Sequence, residues 1–222
     1  MREYFAHQLI NDIDSVIELQ RKKVIDVGGA QGEFCKVLSQ KRECDAHNLD
    51  PGTLSCLWPK TIRGRAEQLP IKNDSYDVVI CRGVLEHIPT SRLPQAIKEM
   101  CRINKPGGIC YIVIPPWYTP HAGHQLKPFH LLPFRYAKRL RELFFREKIE
   151  QHSFEEMNLY KITVRGMLNL LECTPYKIIK MQDVHFRIHF LTKIPLLREL
   201  IIPAVAFILE KESDLQHEEE RD

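Results

Sequence analysis

Paired cysteines are missing from this chain. Its 222 residues include seven, an odd number, and no C-x-x-C pair. That argues against a disulfide framework and against a cysteine-rich zinc site, so reduced thiols in a cytoplasm are expected. Net charge is also scarce: 32 Lys and Arg against 29 Asp and Glu leave +3. So even a balance does not suit a surface that coats nucleic acid, and no nucleic-acid partner is expected, although a local basic patch is compatible with it. Met1-Arg2-Glu3-Tyr4-Phe5 lacks the basic-then-apolar run of a signal peptide. No apolar run is long enough for a membrane span. The nearest, over 194–209, is shorter than ~20 residues and is broken by Pro195, Arg198, Glu199 and Pro203. It reads as a short amphipathic helix followed by a buried strand over 204–209. Internal repeats and low-complexity tracts are absent.

What is present is an ordinary core. Hydrophobic residues make up 44% and charged residues 27%, and the length suits one domain of ~150 residues with a sizeable insertion. Phe5, Leu9, Ile10, Ile13, Val16 and Ile17 recur at helical steps, predicting a helix over 4–20. Strand signatures follow at 24–27, 46–50, 61–65, 76–81 and 109–114. Between them lie helical spacing through Phe34, Val37 and Leu38, a helix from Pro51 to about Leu57, and the stripe Leu93, Ile97, Met100 and Ile103. Strands alternating with helices predict an α/β fold with a doubly wound, mostly parallel sheet. The alternation breaks at residues 115–160, which are rich in Pro, His, aromatic and basic residues and too long for an ordinary connection. A helix through Val164, Leu168 and Leu171 and strands at 176–181 and 204–209 close the pattern, for seven strands in all. Seven acids from Glu210 onward face only Lys211 and Arg221, marking a solvated tail.

The most informative segment is Val24-Ile25-Asp26-Val27-Gly28-Gly29-Ala30-Gln31-Gly32. Glycines directly after a strand and before a helix let the backbone pass close to a ligand. The dinucleotide fingerprint G-x-G-x-x-G would need glycines at 28, 30 and 33; the chain has Gly28, Ala30 and Glu33, and Glu33 would place a negative charge against a pyrophosphate. A nicotinamide enzyme is disfavoured. Asp26 to Gly32 instead resembles the D/E-x-G-x-G-x-G loop of class I S-adenosylmethionine-dependent methyltransferases. Four more segments resemble that family in order: Asp50 at the end of strand two; Gly64 to Pro70 followed by Asp74 to Val79; Val84-Leu85-Glu86-His87-Ile88; and Arg102 to Gly108. The likeness is strong over 20–115 and faint over 160–211.

The resemblance implies a Rossmann-like methyltransferase fold, with S-adenosyl-L-methionine as cofactor. It implies cofactor contacts at Asp26, Gly28, Gly29, Ala30, Gly32, Asp50, Ala66, Glu67 and Arg82. Asp26 would accept from the cofactor's ammonium, Asp50 from its ribose hydroxyls, and Ala66 and Glu67 would edge the adenine. The chain departs from the pattern twice: Ala30 replaces the middle glycine, and Arg65 stands where an acid often receives the adenine amino group. Asp77 reads as a support of strand four. Residues 1–115 would form the cofactor-binding half, 116–160 a substrate cap, 161–211 the closing helix and strands, and 212–222 the acidic tail.

Methyl transfer from a sulfonium is an in-line displacement that needs alignment and exclusion of water, and no metal is expected. A hydroxyl acceptor would also need a base, for which His is suited. His124, then His121 and His130, in an aromatic-rich stretch after strand five, are the candidates, with His87 from the core. The same three cap histidines would make a metal site only with further ligands and convergent geometry. Residues 133–148 can form an amphipathic helix with Tyr136, Ala137, Leu140, Leu143 and Phe144 on one face and six bases against two acids elsewhere. That face would pack as a lid on the core, while peripheral contact with a membrane surface or an anionic substrate is the other reading. The histidine-rich wording also resembles methyltransferases of sugar and cell-surface glycan pathways. The function expected is methylation of a small-molecule or saccharide acceptor at oxygen; a cofactor-binding module without catalysis and a metal-dependent hydrolase are the alternatives.

Overall fold

The computed structural model describes residues 2–52, 58–185 and 192–213, leaving the side chains of 2–5 aside. Strand β1 (Lys23–Val27) buries four consecutive side chains, as a central parallel strand covered on both faces must. It pairs in parallel with β2 (Asp45–Asp50) on one side and β4 (Tyr76–Arg82) on the other. The short β3 (Thr61–Arg63) runs parallel outside β2, and β5 (Asn104–Ile114) runs parallel beside β4. Finally, β7 (Val205–Lys211) enters antiparallel between β5 and β6 (Tyr176–Asp183), giving the order β3-β2-β1-β4-β5-β7-β6. This is the seven-stranded, mostly parallel sheet that the alternation predicts.

The two-residue strand period sends Val24 and Asp26 to one face and Ile25 and Val27 to the other. On the first face, α1 (Arg2–Asp14) and α2 (Glu33–Arg42) bring Leu9, Ile13, Phe34 and Leu38 onto Val24, Val78 and Tyr111. On the second, α3 (Leu93–Ile103) and α5 (Val164–Leu171) bring Ile97, Met100 and Met167 onto Ile25, Val79 and Phe207. Asp77 braces the sheet: its carboxylate accepts from the Lys23 amide at 2.8 Å and from Lys105 Nζ at 2.7 Å.

Local differences from the sequence reading have local causes. The first helix stops at Asp14, whose carboxylate accepts from the Leu19 amide and from Arg42 Nε and so turns the chain early. The third strand is short because Arg65 leaves the ladder and bridges to Gln68. The helix expected up to Leu57 falls on 53–57 and the acidic tail on 214–222, both outside the described residues. The expected short helix before the last strand is α6 (Pro195–Leu200). No helix among the described residues is long and apolar enough to cross a membrane.

The segment between β5 and α5 has its own small core. Leu126, Ala137 and Ile149 cluster with Phe129, Phe134 and Phe154 around α4 (Phe134–Phe145). This helix corrects the expected packing face. Its buried face runs through Ala137 and Arg141, whereas Tyr136, Leu143 and Phe144 are 58%, 72% and 66% exposed. Arg141 can be buried because its donors are satisfied by Glu147 and the Lys127 carbonyl, and its guanidinium lies 3.8 Å from the Phe145 ring centre.

Candidate active site

The turn after β1 is fixed by close approach. A Cβ on Gly28, which sits at φ +75°, would lie 2.2 Å from Val84 Cγ2 in the loop after β4. One on Gly29 would lie 2.3 Å from Asn48 Oδ1 and 2.6 Å from Asp26 Oδ2. Gly32 closes the turn and precedes α2. Ala30 also occupies the left-handed region, at φ +48°. Two side chains of β2 hold it there: Asp50 Oδ2 accepts from its amide at 3.0 Å and Asn48 Nδ2 donates to its carbonyl at 2.9 Å. Asp50 Oδ1 accepts from the Gly52 amide at 2.8 Å.

Asp26 is 2% exposed, and its Oδ2 has no hydrogen-bond partner. Arg82 Nη2 stands 3.7 Å from that oxygen, an ion pair too long for a hydrogen bond. Arg82 Nε is likewise buried without a partner, while the guanidinium lies 4.4 Å from the Phe34 ring centre. Burial pushes the Asp26 carboxyl above its ordinary pKa, Arg82 opposes that shift, and Asp50 adds to it. A cleft of about 1090 Å³ opens here, bordered by Gly29, Gly32, Phe34, Trp58, Arg82 and Tyr111. Ala66 is buried, Glu67 Oε1 lies 3.9 Å from Arg92 Nη1, and Arg65 points to solvent.

The histidines separate into different environments. His130 is buried, with Nε2 2.8 Å from the Trp117 carbonyl and its ring edge-on to that indole. Burial lowers its pKa, and the carbonyl contact partly opposes this. His121 is exposed and stands apart from the other pair. His87 and His124 meet, their ring centres 4.8 Å apart, beside the buried carboxylate of Glu86. His124 Nε2 is 3.8 Å from Glu86 Oε1. Asn158 and Tyr160 clamp this point from the far end of the cap: the Asn158 carbonyl is 2.7 Å from His87 Nδ1, and the Tyr160 amide donates to the Glu86 carbonyl. The trio of cap histidines does not converge; among the described residues, Glu86, His87 and His124 do.

A family described as "Methyltransferase domain" matches residues 1–162. The chain belongs to it. The enzyme is a class I S-adenosylmethionine-dependent methyltransferase. Among its relatives, an "uncharacterized methyltransferase" of Mycobacterium avium (strain 104) is 26% identical over 211 residues, covering 85% of this chain and 77% of that protein. One from Mycobacteroides abscessus is 25% identical, covering 87% and 78%. Among solved structures, the methyltransferase fold is shared with a geranyl diphosphate C-methyltransferase from Streptomyces coelicolor at TM-score 0.63, with 9% identity and coverage of 95% and 79%. It is shared too with a protein solved with the Haloferax volcanii Trm112 methyltransferase activator, at TM-score 0.62, 14% identity and coverage of 96% and 92%.

The methyltransferase's residues suit this cofactor on their own evidence. Asp26 Oδ2 is an orphaned buried acceptor and Arg82 Nε an orphaned buried donor, and Arg82 borders the cleft. The ammonium and carboxylate of an amino-acid group complement them. Glu86 belongs to this cluster and is not singled out by the sequence alone; its adjacency to His87 is the available signal.

Proposed function

We propose that the methyltransferase alkylates a hydroxyl oxygen on a small-molecule or saccharide acceptor held between the sheet and the 116–160 cap. The observation that carries this reading is the meeting of His87 and His124 at Glu86, one loop beyond the Asp26–Arg82 pair. Asp26 and Arg82 would hold the amino-acid end of S-adenosyl-L-methionine. The turn formed by Gly28, Gly29, Ala30 and Gly32 would pass beneath it. Asp50 would take the ribose hydroxyls, and Ala66 and Glu67 would edge the adenine. When bound, the cofactor supplies an electrophilic methyl carbon on a sulfonium. His124 and His87 then meet the acceptor hydroxyl, and in the cation-free protein one neutral imidazole takes its proton while Glu86 steadies the resulting imidazolium. His130, shut against Trp117, serves the cap's packing, and His121 lies outside the reacting group.

Methyl release over matched hydroxyl, amine and carboxylate acceptors tests the reading. Turnover confined to hydroxyl acceptors supports it; turnover confined to amines or carboxylates overturns it. Peripheral contact with an anionic membrane surface finds support in exposed Leu143 and Phe144 beside exposed Arg135 and Arg139.

A further inference from the structure

Glu86 sits in the short helical turn Leu85–His87, and its side chain is 5% exposed. Its Oε2 has no hydrogen-bond partner. A buried carboxylate oxygen without a donor is costly and calls for a positive group. One ligand atom each from Glu86, His87 and His124 lies within 4.8 Å of the others. The Asn158 carbonyl, 2.7 Å from His87 Nδ1, can only accept, so Nδ1 carries the hydrogen, and Nε2 is the nitrogen that the neutral ring has left to ligate. Metal-binding histidines are oriented by this kind of outer contact. His124 comes from the cap at 42% side-chain exposure, so its ring has room to move. Gly83, at φ +65°, leaves the near side of Glu86 uncrowded: a Cβ there would come no closer than 3.6 Å to Oε1.

We propose that Glu86, His87 and His124 form a three-ligand site for a divalent first-row transition-metal ion. Two imidazoles and one carboxylate suit Zn²⁺, Mn²⁺, Fe²⁺ or Co²⁺ better than Ca²⁺ or Mg²⁺, which prefer all-oxygen shells. Ligand atoms around a tetrahedral ion with bonds of ~2.1 Å stand roughly 3.4 Å apart. Closing the widest pair from 4.8 Å to that spacing needs about 1.4 Å, and the His124–Glu86 pair, at 3.8 Å, needs less than half of that. Three protein ligands leave a position for the acceptor oxygen. The ion's part in transfer rests on the proposed hydroxyl acceptor; its binding does not. On the ion, the acceptor hydroxyl loses its proton to solvent. An oxygen lone pair then bonds to the methyl carbon as the carbon–sulfur bond breaks, and the sulfur leaves as a neutral thioether. Both imidazoles stay ligands throughout, replacing the direct proton transfer of the cation-free protein.

The test uses the full chain, stripped with EDTA and titrated with ZnCl₂ by calorimetry, with bound metal counted by elemental analysis after gel filtration. One Zn²⁺ per chain is expected, with affinity at least 100-fold weaker in Glu86→Gln and in His124→Ala. Glu86→Gln preserves shape and His124→Ala alters only the cap, so a folding defect common to both is not expected. No retained zinc in the wild type, or retention by both variants equal to that of the wild type, overturns the proposal. S-adenosylhomocysteine titrated into the same samples separates the two ideas. Binding of that ligand by a wild-type protein that retains no added zinc defeats the metal site alone. Zinc lost in both variants, with no binding of that ligand, upholds the metal site and defeats the cofactor reading.

Discussion

Asp50→Ala should weaken the cofactor in two separable ways. The carboxylate accepts from the amides of Ala30 and Gly52 at 3.0 and 2.8 Å, so it is both the expected ribose acceptor and a brace on the glycine turn. Hydrogen bonds to a charged group are worth about 1.5–3 kcal/mol each, with the lower end fitting this half-exposed site. Losing two ribose contacts therefore costs about 3 kcal/mol, roughly two orders of magnitude in Kd. Ala30 adds to this. Its φ of +48° costs about 1–2 kcal/mol for a residue with a Cβ, comparable to one bond from Asp50. Without Asp50 the turn should relax, and the cofactor must then restore it. Ala30→Gly removes that strain, so in the Asp50→Ala background it should recover about 1 kcal/mol, roughly fivefold. In the wild-type background it should change affinity little. Calorimetry with S-adenosylhomocysteine across the four proteins gives the coupling directly. An Asp50→Ala enzyme binding within threefold of wild type refutes the ribose role. Additivity within roughly 0.5 kcal/mol refutes the brace.

Further outcomes follow from groups already described. Asp26 must be ionised to receive an ammonium, and burial raises its pKa. Cofactor affinity should therefore fall on acidification at a higher pH than an exposed aspartate would allow, and Asp26→Asn should flatten that profile in calorimetry. His130 has the opposite sign. Its folded pKa lies below the ordinary 6.5, so the unfolded chain binds protons more readily, and stability is full above 6.5 and declines as pH falls through the folded value. His130→Gln should reduce that acid loss of Tm in thermal melts. Ile97, on the sheet-facing side of α3, is fully buried; Ile97→Ala should cost about 2–5 kcal/mol in denaturant unfolding, and a change under 1 kcal/mol would contradict its placement. Leu143→Ser with Phe144→Ser should cut co-sedimentation with anionic vesicles while leaving Tm nearly unchanged, because both side chains are exposed. Equal sedimentation would remove the membrane reading.

The sheet could be read from the sequence because each strand declares itself locally. Tyr76 to Cys81 and Ile109 to Ile114 are apolar runs bounded by turns, and glycine spacing marks the end of β1. Asp26, Asp50 and Arg82 could be proposed for the same reason, since each lies at or next to a strand end. What escaped depends on contacts between distant segments. His124 and His87 are brought together by the cap's return through Asn158 and Tyr160, which no periodicity records. The face of α4 was misjudged because apolar counting favours Leu143 and Phe144. Arg141 wins the buried position instead by finding Glu147, the Lys127 carbonyl and the Phe145 ring. The early end of α1 turns on a single aspartate whose partners lie elsewhere in the fold.

The placement of β7 between β5 and β6 has a consequence for synthesis. Until residues 205–211 have left the ribosome, β6 has no neighbour to pair with and β5 remains the open edge of a five-stranded sheet. That edge is Ile109-Cys110-Tyr111-Ile112-Val113-Ile114, an uncharged strand of the kind that recruits other chains. The nascent enzyme thus carries an uncovered apolar edge from the completion of β5 until residues 205–211 emerge, and β7 is the strand that covers it.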